Sequence, residues 1–522
     1  MTLNSYNITL KYARLLLSAY FVLMGLHLFS QTNKPDSLIR IIHADEWLFK
    51  KEQRNGGQLL KGDVHFLHKG ANLYCDSALL FKEDNKIKAF GSVYLNQGDS
   101  LMLWGDEVFY NGNTGYLIIK AHPGEVKVET DSAYLYSPII EYFRPQGYIL
   151  YSNGGHLKSK SGTTELWSNM GYYYPDEEKV IFKDSVELKH EEIELETQEF
   201  VFYPSSSWAH FIDTTTILIN QKEGVHTQSG KYNLETNEGY FYDQSEWFSG
   251  SQSLYGDTLF VYNNGENAWG KCNLLLVDSV DGVQIYANDL ALTNNGESGK
   301  FRKGVWVEQQ SEDDTLRIFS PNLDLVSDTG DTKKFVWTTN VLLYSINFQG
   351  KTDTLIYSEL DSTFFWIGNP VMWNEESQIT GKEIQIQLKN KQLHSLYIPE
   401  LGFMSSRVPP LSDFNQISGK SIKGYFHENS LDSILVEGNG ESLYFALDEK
   451  DSTLIGMNQA AGSSILIKMD SSKISDIEFL TKPSSTMYPE KDITTRQLKR
   501  FQWRGSERPM TPADIIQFRD SF

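Results

Sequence analysis

The chain of 522 residues is rich in apolar and aromatic side chains, with 40% hydrophobic residues, 28 Tyr, 29 Phe and 11 Trp. This composition excludes global disorder, since disordered chains carry too little apolar surface to offset the entropy that folding removes. A formal net charge of −21 disfavours nucleic acid and an anionic membrane surface as the main partner.

Residues 1–30 have the pattern of a targeting segment. Lys11 and Arg14 precede an apolar run over residues 15–29, which is followed by Ser30. A basic start and a short apolar run are typical of a secretory signal peptide, and the run is shorter than a comfortable membrane span. We predict a signal peptide over residues 1–30 and an exported protein, with an uncleaved membrane anchor as the alternative.

A repeat begins soon after this segment. Residues 62–81 read GDVHFLHKGANLYCDSALLF, residues 91–110 read GSVYLNQGDSLMLWGDEVFY, and residues 124–143 read GEVKVETDSAYLYSPIIEYF. Each copy holds an alternating strand, a polar turn, a second alternating strand and a small or polar break. A weaker copy starts at Gly155, so the period is roughly 30 residues.

The local pattern of each copy predicts antiparallel β structure. Apolar and polar residues alternate with period two, and the turns are rich in Gly and Asn, which adopt positive φ at low cost. A polar break such as Asp76 or Asp106 is where a bulge would let the sheet fold over on itself. Because one repeat cannot bury its apolar face alone, stacked repeats are expected. The predicted fold is all-β, an elongated antiparallel folded-sheet array.

The pattern continues along most of the chain, with two Pro/Ser-rich joints near residues 203–208 and 408–413. The last residues differ in charge. Between residues 496 and 508 five residues are basic and only Glu507 is acidic; the basic residues are Arg496, Lys499, Arg500, Arg504 and Arg508. We interpret them as a solvated, partly disordered basic tail, with a docking segment for an anionic head group or an acidic partner as the alternative. The predicted regions are residues 31–203, 204–410, 411–489 and the tail at 490–522.

No catalytic or metal-binding pattern stands out. His65 and His68 are three residues apart, which on a strand places them on opposite faces, so they are not a metal pair. Cys75 and Cys272 lack a CxxC partner and are expected to be buried free thiols, although export would permit a disulfide. We predict no enzyme, no metal and no cofactor. A glycosidase-type pair of carboxylates stays open, because its members meet only in three dimensions.

The repeat resembles the OstA-like family. The likeness is best over residues 42–201 and rests on LLKGDVHFLHKGANLYCDSALLFKEDNKIKAFGSVYL at residues 59–95, in which two tandem copies are joined by AFGSV. That family includes the periplasmic lipopolysaccharide transport protein A and the N-terminal domain of the outer-membrane lipopolysaccharide assembly protein. At 522 residues this chain is similar to a long variant of the family.

The resemblance implies an elongated β-jellyroll whose apolar groove shields lipid acyl chains. The implied function is a non-enzymatic periplasmic carrier or bridge for lipopolysaccharide in a Gram-negative envelope, with association to the inner or outer membrane left open. The implied partners are the acyl chains of lipid A, other OstA-like domains that pair through edge strands, and further copies of the chain. The residues expected to line the groove are Val64, Phe66, Leu73, Val93, Leu95, Leu101, Leu103, Val126, Val128 and Leu135.

Two other functions remain open from the sequence. The same apolar residues would fill the dry core of a structural or adhesive β-repeat protein at the cell surface. The many Tyr and Trp residues would also suit a glycan-binding or carbohydrate-active sandwich, in which aromatic rings stack on sugars.

Overall fold

A computed structural model describes residues 38–519 apart from short gaps, so the predicted signal segment lies outside the described residues. The gaps fall at residues 49–56, 99–100, 131–132, 144–145, 191–192, 220, 234–235, 237, 263–266, 295, 312–313, 328–331, 391, 428–429, 449 and 471–472. The described residues divide into two compact units. The N-terminal unit holds residues 38–250 and 255–262, and the C-terminal unit holds residues 251–254 and 267–519.

The N-terminal unit is built from strands. In the described part of the chain they are β1 (Arg40–His43), β2 (Glu46–Leu48), β3 (Gln58–His68), β4 (Ala71–Phe81), β5 (Lys86–Gln97), β6 (Leu101–Asn111), β7 (Tyr116–Lys120), β8 (Val126–Thr130), β9 (Ala133–Ser137), β10 (Ile139–Phe143), β11 (Tyr148–Ser152), β12 (Gly155–Ser159), β13 (Thr164–Ser168), β14 (Met170–Tyr174), β15 (Lys179–His190), β16 (Ile193–Tyr203), β17 (Trp208–Phe211), β18 (Thr215–Ile219), β19 (Glu223–Thr227), β20 (Ser229–Asn233) and β21 (Glu238–Ser249). Short 3₁₀ turns lie at Pro175–Glu177 and Pro204–Ser206.

Strand β22 (Gln252–Tyr262) contributes residues to both units. The strands of the C-terminal unit are β23 (Asn267–Asp278), β24 (Val283–Thr293), β25 (Ser298–Gln310), β26 (Thr315–Ser327), β27 (Lys333–Tyr344), β28 (Gln349–Ser358), β29 (Thr363–Ile367), β30 (Val371–Asn374), β31 (Ser377–Thr380), β32 (Glu383–Lys389), β33 (Gln392–Ile398), β34 (Phe403–Arg407), β35 (Phe414–Ser418), β36 (Ser421–His427), β37 (Ser430–Leu447), β38 (Leu454–Asp470), β39 (Lys473–Leu480) and β40 (Ser484–Pro489). Two 3₁₀ turns (Glu490–Asp492 and Gly505–Glu507) and helix α1 (Pro512–Arg519) follow.

The hairpin turns follow from their residue types. Between β3 and β4 the loop is Lys69–Gly70, and both residues have positive φ, 49° and 81°. Two consecutive positive φ angles define the turn whose twist matches that of the flanking strands. The register then runs from His68 opposite Ala71 back to Gln58 opposite Leu80. Alternation, turn chemistry and register therefore agree in the first repeat.

The predicted breaks are corners at which long strands bend. In β5, Gly91 and Ser92 have φ of 72° and 43°, and the pairing with β4 and β6 shifts at this point. The Asp76 carboxylate occupies the space into which a Cβ on Gly91 would project, and it accepts a hydrogen bond from Ser92 Oγ at 3.1 Å. Glycine at position 91 is required both by φ and by this close approach. Register shifts at the predicted breaks Asp76 and Asp106 confirm that prediction.

Bending divides the N-terminal unit into two ladders of short strands. Residues 101–104 of β6 pair with β8, and the order continues through β9, β12 and β13 to residues 187–190 of β15; we call this ladder 1. Residues 107–111 of β6 pair with β7, and the order continues through β10, β11 and β14 to residues 179–183 of β15; we call this ladder 2. Long strands therefore bracket a region where each strand is split in two.

The C-terminal unit repeats this topology. Residues 349–351 of β28 pair with β30, and ladder 3 continues through β31, β34 and β35 to residues 441–443 of β37. Residues 354–358 of β28 pair with β29, and ladder 4 continues through β32, β33 and β36 to β37. Ladder 3 thus takes the place that ladder 1 has in the N-terminal unit. The prediction of an all-β antiparallel folded-sheet array is confirmed.

Two features differ from the sequence-based expectation. The predicted joints near residues 203–208 and 408–413 lie inside hairpins, between β16 and β17 and between β34 and β35, whereas the division of the chain into two units falls within residues 251–266. The expected solvated tail instead packs on the C-terminal unit, with Leu498 only 7% exposed and Ile515 0% exposed. The tail is rich in basic residues, but buried apolar residues such as Leu498 and Ile515 decide where it lies.

Candidate functional site

The interior between ladders 1 and 2 and the neighbouring long strands is apolar and closed. Nine of the ten residues expected to line a groove are buried, with exposures of 0–7%. They are Val64, Phe66, Leu73, Val93, Leu95, Leu101, Leu103, Val126 and Val128. The tenth, Leu135 on β9, is half-buried. The structure brings these residues to the inward face of successive strands, and they pack as a dry core packs.

An aromatic side chain crosses this interior at one point. Tyr151 on β11 fills the space next to Gly155 on β12 and Gly171 on β14, where an added Cβ would collide with its ring. Its hydroxyl hydrogen-bonds to Ser168 Oγ, and burial raises the pKa of the phenol well above its usual range. The sequence pattern did not single out Tyr151, because a tyrosine in a strand with neighbouring tyrosines gives no sign of which one points inward. Tyr151 closes the interior across ladders 1 and 2.

The outer face of ladder 1 carries a continuous row of aromatic and polar side chains. Cross-strand partners follow one another over nine strands, and we call them the aromatic row: His65, Tyr74, Tyr94, Trp104, Lys127, Tyr136, His156, Trp167 and Glu187. Ring centroids are 4.2 Å apart for His65–Tyr74, 5.3 Å for Tyr94–Trp104 and 4.8 Å for His156–Trp167. Lys127 Nζ lies 4.6 Å from the Trp104 ring centroid.

Ion pairs flank the aromatic row. Glu129 accepts hydrogen bonds from Lys160 Nζ at 2.8 Å and from Lys127 Nζ at 2.9 Å, and these bonds lower the pKa of its carboxyl. Glu165 pairs with Lys158 at 2.7 Å and with His156 at 3.2 Å, and the Lys158 bond is the main cause of its lowered pKa. The charges on this face are therefore largely matched, as in a solvated sheet face.

The corresponding outer face of ladder 3 is covered by the chain itself. Its cross-strand row, which we call the covered row, consists of Gln349, Trp373, Gln378, Ser405, Gln416 and Leu443, each 0–4% exposed. Residues 496–508, which we call the strap, lie on this row. The neighbouring Gly350 points the other way, because a Cβ there would meet the Trp366 ring of ladder 4. The covered row is therefore on the outer side of ladder 3.

Two glutamines hold the strap through its backbone. Gln416 donates from Nε2 to the Arg496 carbonyl at 2.9 Å, and its Oε1 accepts from the Leu498 N–H at 2.8 Å. Gln378 repeats this contact six residues later, with 2.7 Å to the Gln502 carbonyl and 2.6 Å from the Arg504 N–H. Each amide group thus satisfies a carbonyl and the N–H two residues on, as a neighbouring strand would. Sequence analysis missed this site, because the partners are 80–126 residues apart.

Exposed apolar residues mark the N-terminal edge of the N-terminal unit. β1 and β2 both pair with β3, and they carry Ile42, Trp47 and Leu48 at 46%, 58% and 40% exposure. Leu38 just before β1 is 55% exposed. An edge strand with exposed apolar side chains is a template for pairing with another chain.

Histidines and cysteines do not assemble into a site. His65 belongs to the outer aromatic row, whereas His68 is 7% exposed on the inward face, which confirms that the two point to opposite sides. Cys75 is a buried free thiol, and burial raises its pKa to about 12; Cys272 is a free thiol too, but exposed. Among the described residues no group of three His, Cys, Asp or Glu side chains could hold a metal ion.

The fold and this interior define a class: repetitive antiparallel β proteins whose split strands enclose an apolar space. Residues 36–198 match the model of the OstA-like protein family. No curated protein matches the chain. One matching solved structure is LptH, the LptA-homologous periplasmic component of the lipopolysaccharide transport device from Pseudomonas aeruginosa. It is 10% identical, the match covers 27% of this chain and 95% of that chain, and the TM-score is 0.21.

Within the ranges that the structure describes, no helix has the length and apolar character needed to cross a membrane.

Proposed function

We propose that the chain is a non-enzymatic carrier or bridge for lipopolysaccharide on its way to the outer membrane. The observation that carries the proposal is an OstA-like region, residues 36–198, whose strands turn apolar residues inward at each repeat. Transfer of acyl chains from water into such an interior is favourable, because burying each methylene contributes about 0.8 kcal/mol. A carrier of this kind shields the chains during transit through water and needs no reaction.

Loading requires the interior to open. Leu95 and Leu103 are 6% and 7% exposed, so an acyl chain can reach them only if the strands on either side move apart. Tyr151 limits how far an acyl chain can extend along the interior, because its ring already fills the space beside Gly155 and Gly171. The proposed acyl site therefore lies among strands β3 to β9, on the N-terminal side of this tyrosine.

The proposed setting is the periplasm, with edge strands as contacts to partners. The exposed apolar residues on β1 and β2 suit pairing with an OstA-like domain of another transport protein or with a second copy of this chain. Such pairing would continue the strand array across molecules, and the signal peptide predicted over residues 1–30 would deliver the chain to that compartment.

A second candidate function is a structural or adhesive strand array with a dry core. One observation favours it: nine of the ten expected lining residues are 0–7% exposed, as they would be in a core that holds no ligand. The two functions differ in whether lipid is ever found inside.

Lipid analysis of the purified protein tests the proposal. The full chain is exported in a Gram-negative host and purified without detergent, and bound lipids are identified by mass spectrometry. We expect lipid A species with the wild type, less lipid with Leu95→Arg on the inward face, and no change with Asn96→Arg on the outer face. Circular dichroism controls for folding. Wild-type protein that is folded and free of lipopolysaccharide would favour the structural array.

A further inference from the structure

A cavity of about 590 Å³ lies in the C-terminal unit between the strap and the corners of ladders 3 and 4. We call it the strap cavity. Its volume falls within the range of small-molecule sites, roughly 300–1,000 Å³. Its wall contains Ile367, Lys382, Leu401, Arg500 and Arg504. The cavity is distinct from the apolar interior, because it lies beside the strap on the outer side of ladder 3.

The charges of the cavity wall leave one cation unmatched. Arg504 is 7% exposed and is held by Glu507 through bonds of 2.7 and 2.9 Å. Lys382 pairs with Glu400 at 2.9 Å. Arg500, by contrast, makes no ion pair or side-chain hydrogen bond with any residue that the structure describes.

The remaining acid of the wall does not neutralise Arg500. Glu383 accepts a hydrogen bond from Gln385 Nε2 at 2.7 Å, along the strand that both residues occupy. The wall holds three cationic and two acidic side chains; of these Arg500 and Glu383 have no ion-pair partner in the wall, and Arg500 is the one on the strap. An anionic group is the ligand chemistry that this charge favours.

Apolar side chains line the same cavity. Ile367 is 39% exposed and Leu401 is 53% exposed, although both are large aliphatic residues. A purely ionic ligand would leave this surface in water. A ligand with a short apolar portion beside its anionic group would cover it, and removing apolar surface from water is favourable.

Strap docking fixes the position of Arg500. The residue has φ of 78°, an uncommon conformation for a side chain other than glycine. It lies in the turn closed by the Phe501 N–H and the Leu498 carbonyl at 3.1 Å, between the two stretches that Gln416 and Gln378 hold. The backbone is thus held on both sides of a strained cationic residue at the cavity wall.

We propose that the strap cavity binds an amphiphile carrying a phosphate or carboxylate group, with Arg500 as the residue that recognises the anion. The apolar portion lies against Ile367 and Leu401. A lipid headgroup and a soluble anionic metabolite share this chemistry, and the experiment below distinguishes an amphiphile from a free anion. The proposal does not depend on the proposed transport function, since it concerns a different unit and the opposite side of the sheet.

Titration of the full-length protein with dodecyl phosphate, below its micelle concentration, tests this site by calorimetry. We expect saturable binding that weakens at least tenfold in Arg500→Gln and is largely restored in Arg500→Lys. Lys499→Ala is the matched control, because Lys499 is an exposed neighbour that does not line the cavity; its affinity should stay within twofold of the wild type. Trp503 fluorescence reports whether the strap remains docked in each variant.

Three results would overturn the proposal. Equal affinity for dodecyl maltoside would show that the anionic group is not recognised. Equal affinity for inorganic phosphate would identify a free anion as the ligand and show that the apolar portion of the amphiphile does not contribute to binding. An equal loss in Lys499→Ala and Arg500→Gln would assign the effect to the general positive charge of the strap. The titration uses the full chain, so binding that does not respond to Arg500→Gln belongs to another site, and each of these three results leaves the transport proposal intact.

Discussion

Ladders 1 and 3 hold the same place in the topology of their units, yet their outer faces differ in residue type and in whether another segment of the chain covers them. Ladder 3 presents the covered row. Its tryptophan and leucine are apolar and its glutamines are buried, so another segment must shield the row from water and supply hydrogen-bond partners. Ladder 1 presents the aromatic row, whose half-buried rings make stacked and tilted contacts with one another and a contact between Trp104 and Lys127. One array can therefore stabilise its outer face with a strap or with cross-strand stacking, and the residue types of the row indicate which is used.

Removing a buried anchor of the strap should have the largest effect. Leu498 packs against Phe403, Leu443, Phe445 and Met457. Leu498→Ala should lower the free energy of unfolding of the C-terminal unit by about 2–5 kcal/mol, because it removes buried methylenes and leaves a cavity. Denaturant unfolding measures this, and exposed Lys499→Ala should change it by less than about 0.5 kcal/mol. Equal effects of the two variants would contradict a packed strap.

Removing one of the two glutamines that bind the strap backbone should have the next largest effect. Gln416→Ala leaves the Leu498 N–H and the Arg496 carbonyl without their amide partner, and we expect a loss of about 1–3 kcal/mol in stability. The control is Gln459→Ala: Gln459 is paired with Leu443 in the next strand of the same row but is exposed. Hydrogen exchange of the strap amides should quicken in the first variant only. Unchanged exchange would show that Gln416 does not hold the strap.

The aromatic row should show coupling between neighbours. A double-mutant cycle on Tyr94→Ala and Trp104→Ala should give an interaction energy of about 0.5–1.5 kcal/mol, because the two rings are in contact, tilted at 31° with centroids 5.3 Å apart. The cycle on Tyr94 and Trp167, which stand five strands apart in the row, should be additive. Additivity in both cycles would mean that stacking does not stabilise ladder 1.

Acid should weaken the strap by a smaller amount. Hydrogen bonds from Arg504 and Lys351 lower the pKa of Glu507 to about 2 from 4.5. The folded state binds this proton less readily, so the stabilisation is present above about pH 4.5 and is lost as the pH falls towards 2. Glu507→Gln should cost about 0.5–1 kcal/mol at pH 7, since the side chain is a third exposed, and nothing near pH 2. The exposed pair of Lys468 and Glu478 provides the control, and a similar loss in Glu478→Gln would remove the distinction.

Much of the fold could be predicted from local pattern. Period-two alternation placed Val64, Phe66 and Leu95 on the inward face, and polar breaks located the corners at Asp76 and Asp106, because both signals lie within one repeat. The splitting of strands into two ladders was not predicted, since it depends on pairings between separate repeats.

The strap shows why the rest could not be predicted. Its basic composition suggests solvent, but burial is decided by Leu498 and by Gln416, whose contact spans 82 residues. The inward position of Tyr151 was missed for a related reason, because Gly155 and Gly171 make room for its ring only once their strands are side by side.

Site-specific photocrosslinking in cells tests the central claim most directly. A photoreactive residue is placed at Leu95 or Leu103 on the inward face and at Asn96 on the outer face, and adducts are probed for lipopolysaccharide. The account predicts adducts at Leu95 and Leu103 and none at Asn96. Folded, exported protein without adducts at either inward position would contradict the carrier and leave a structural strand array.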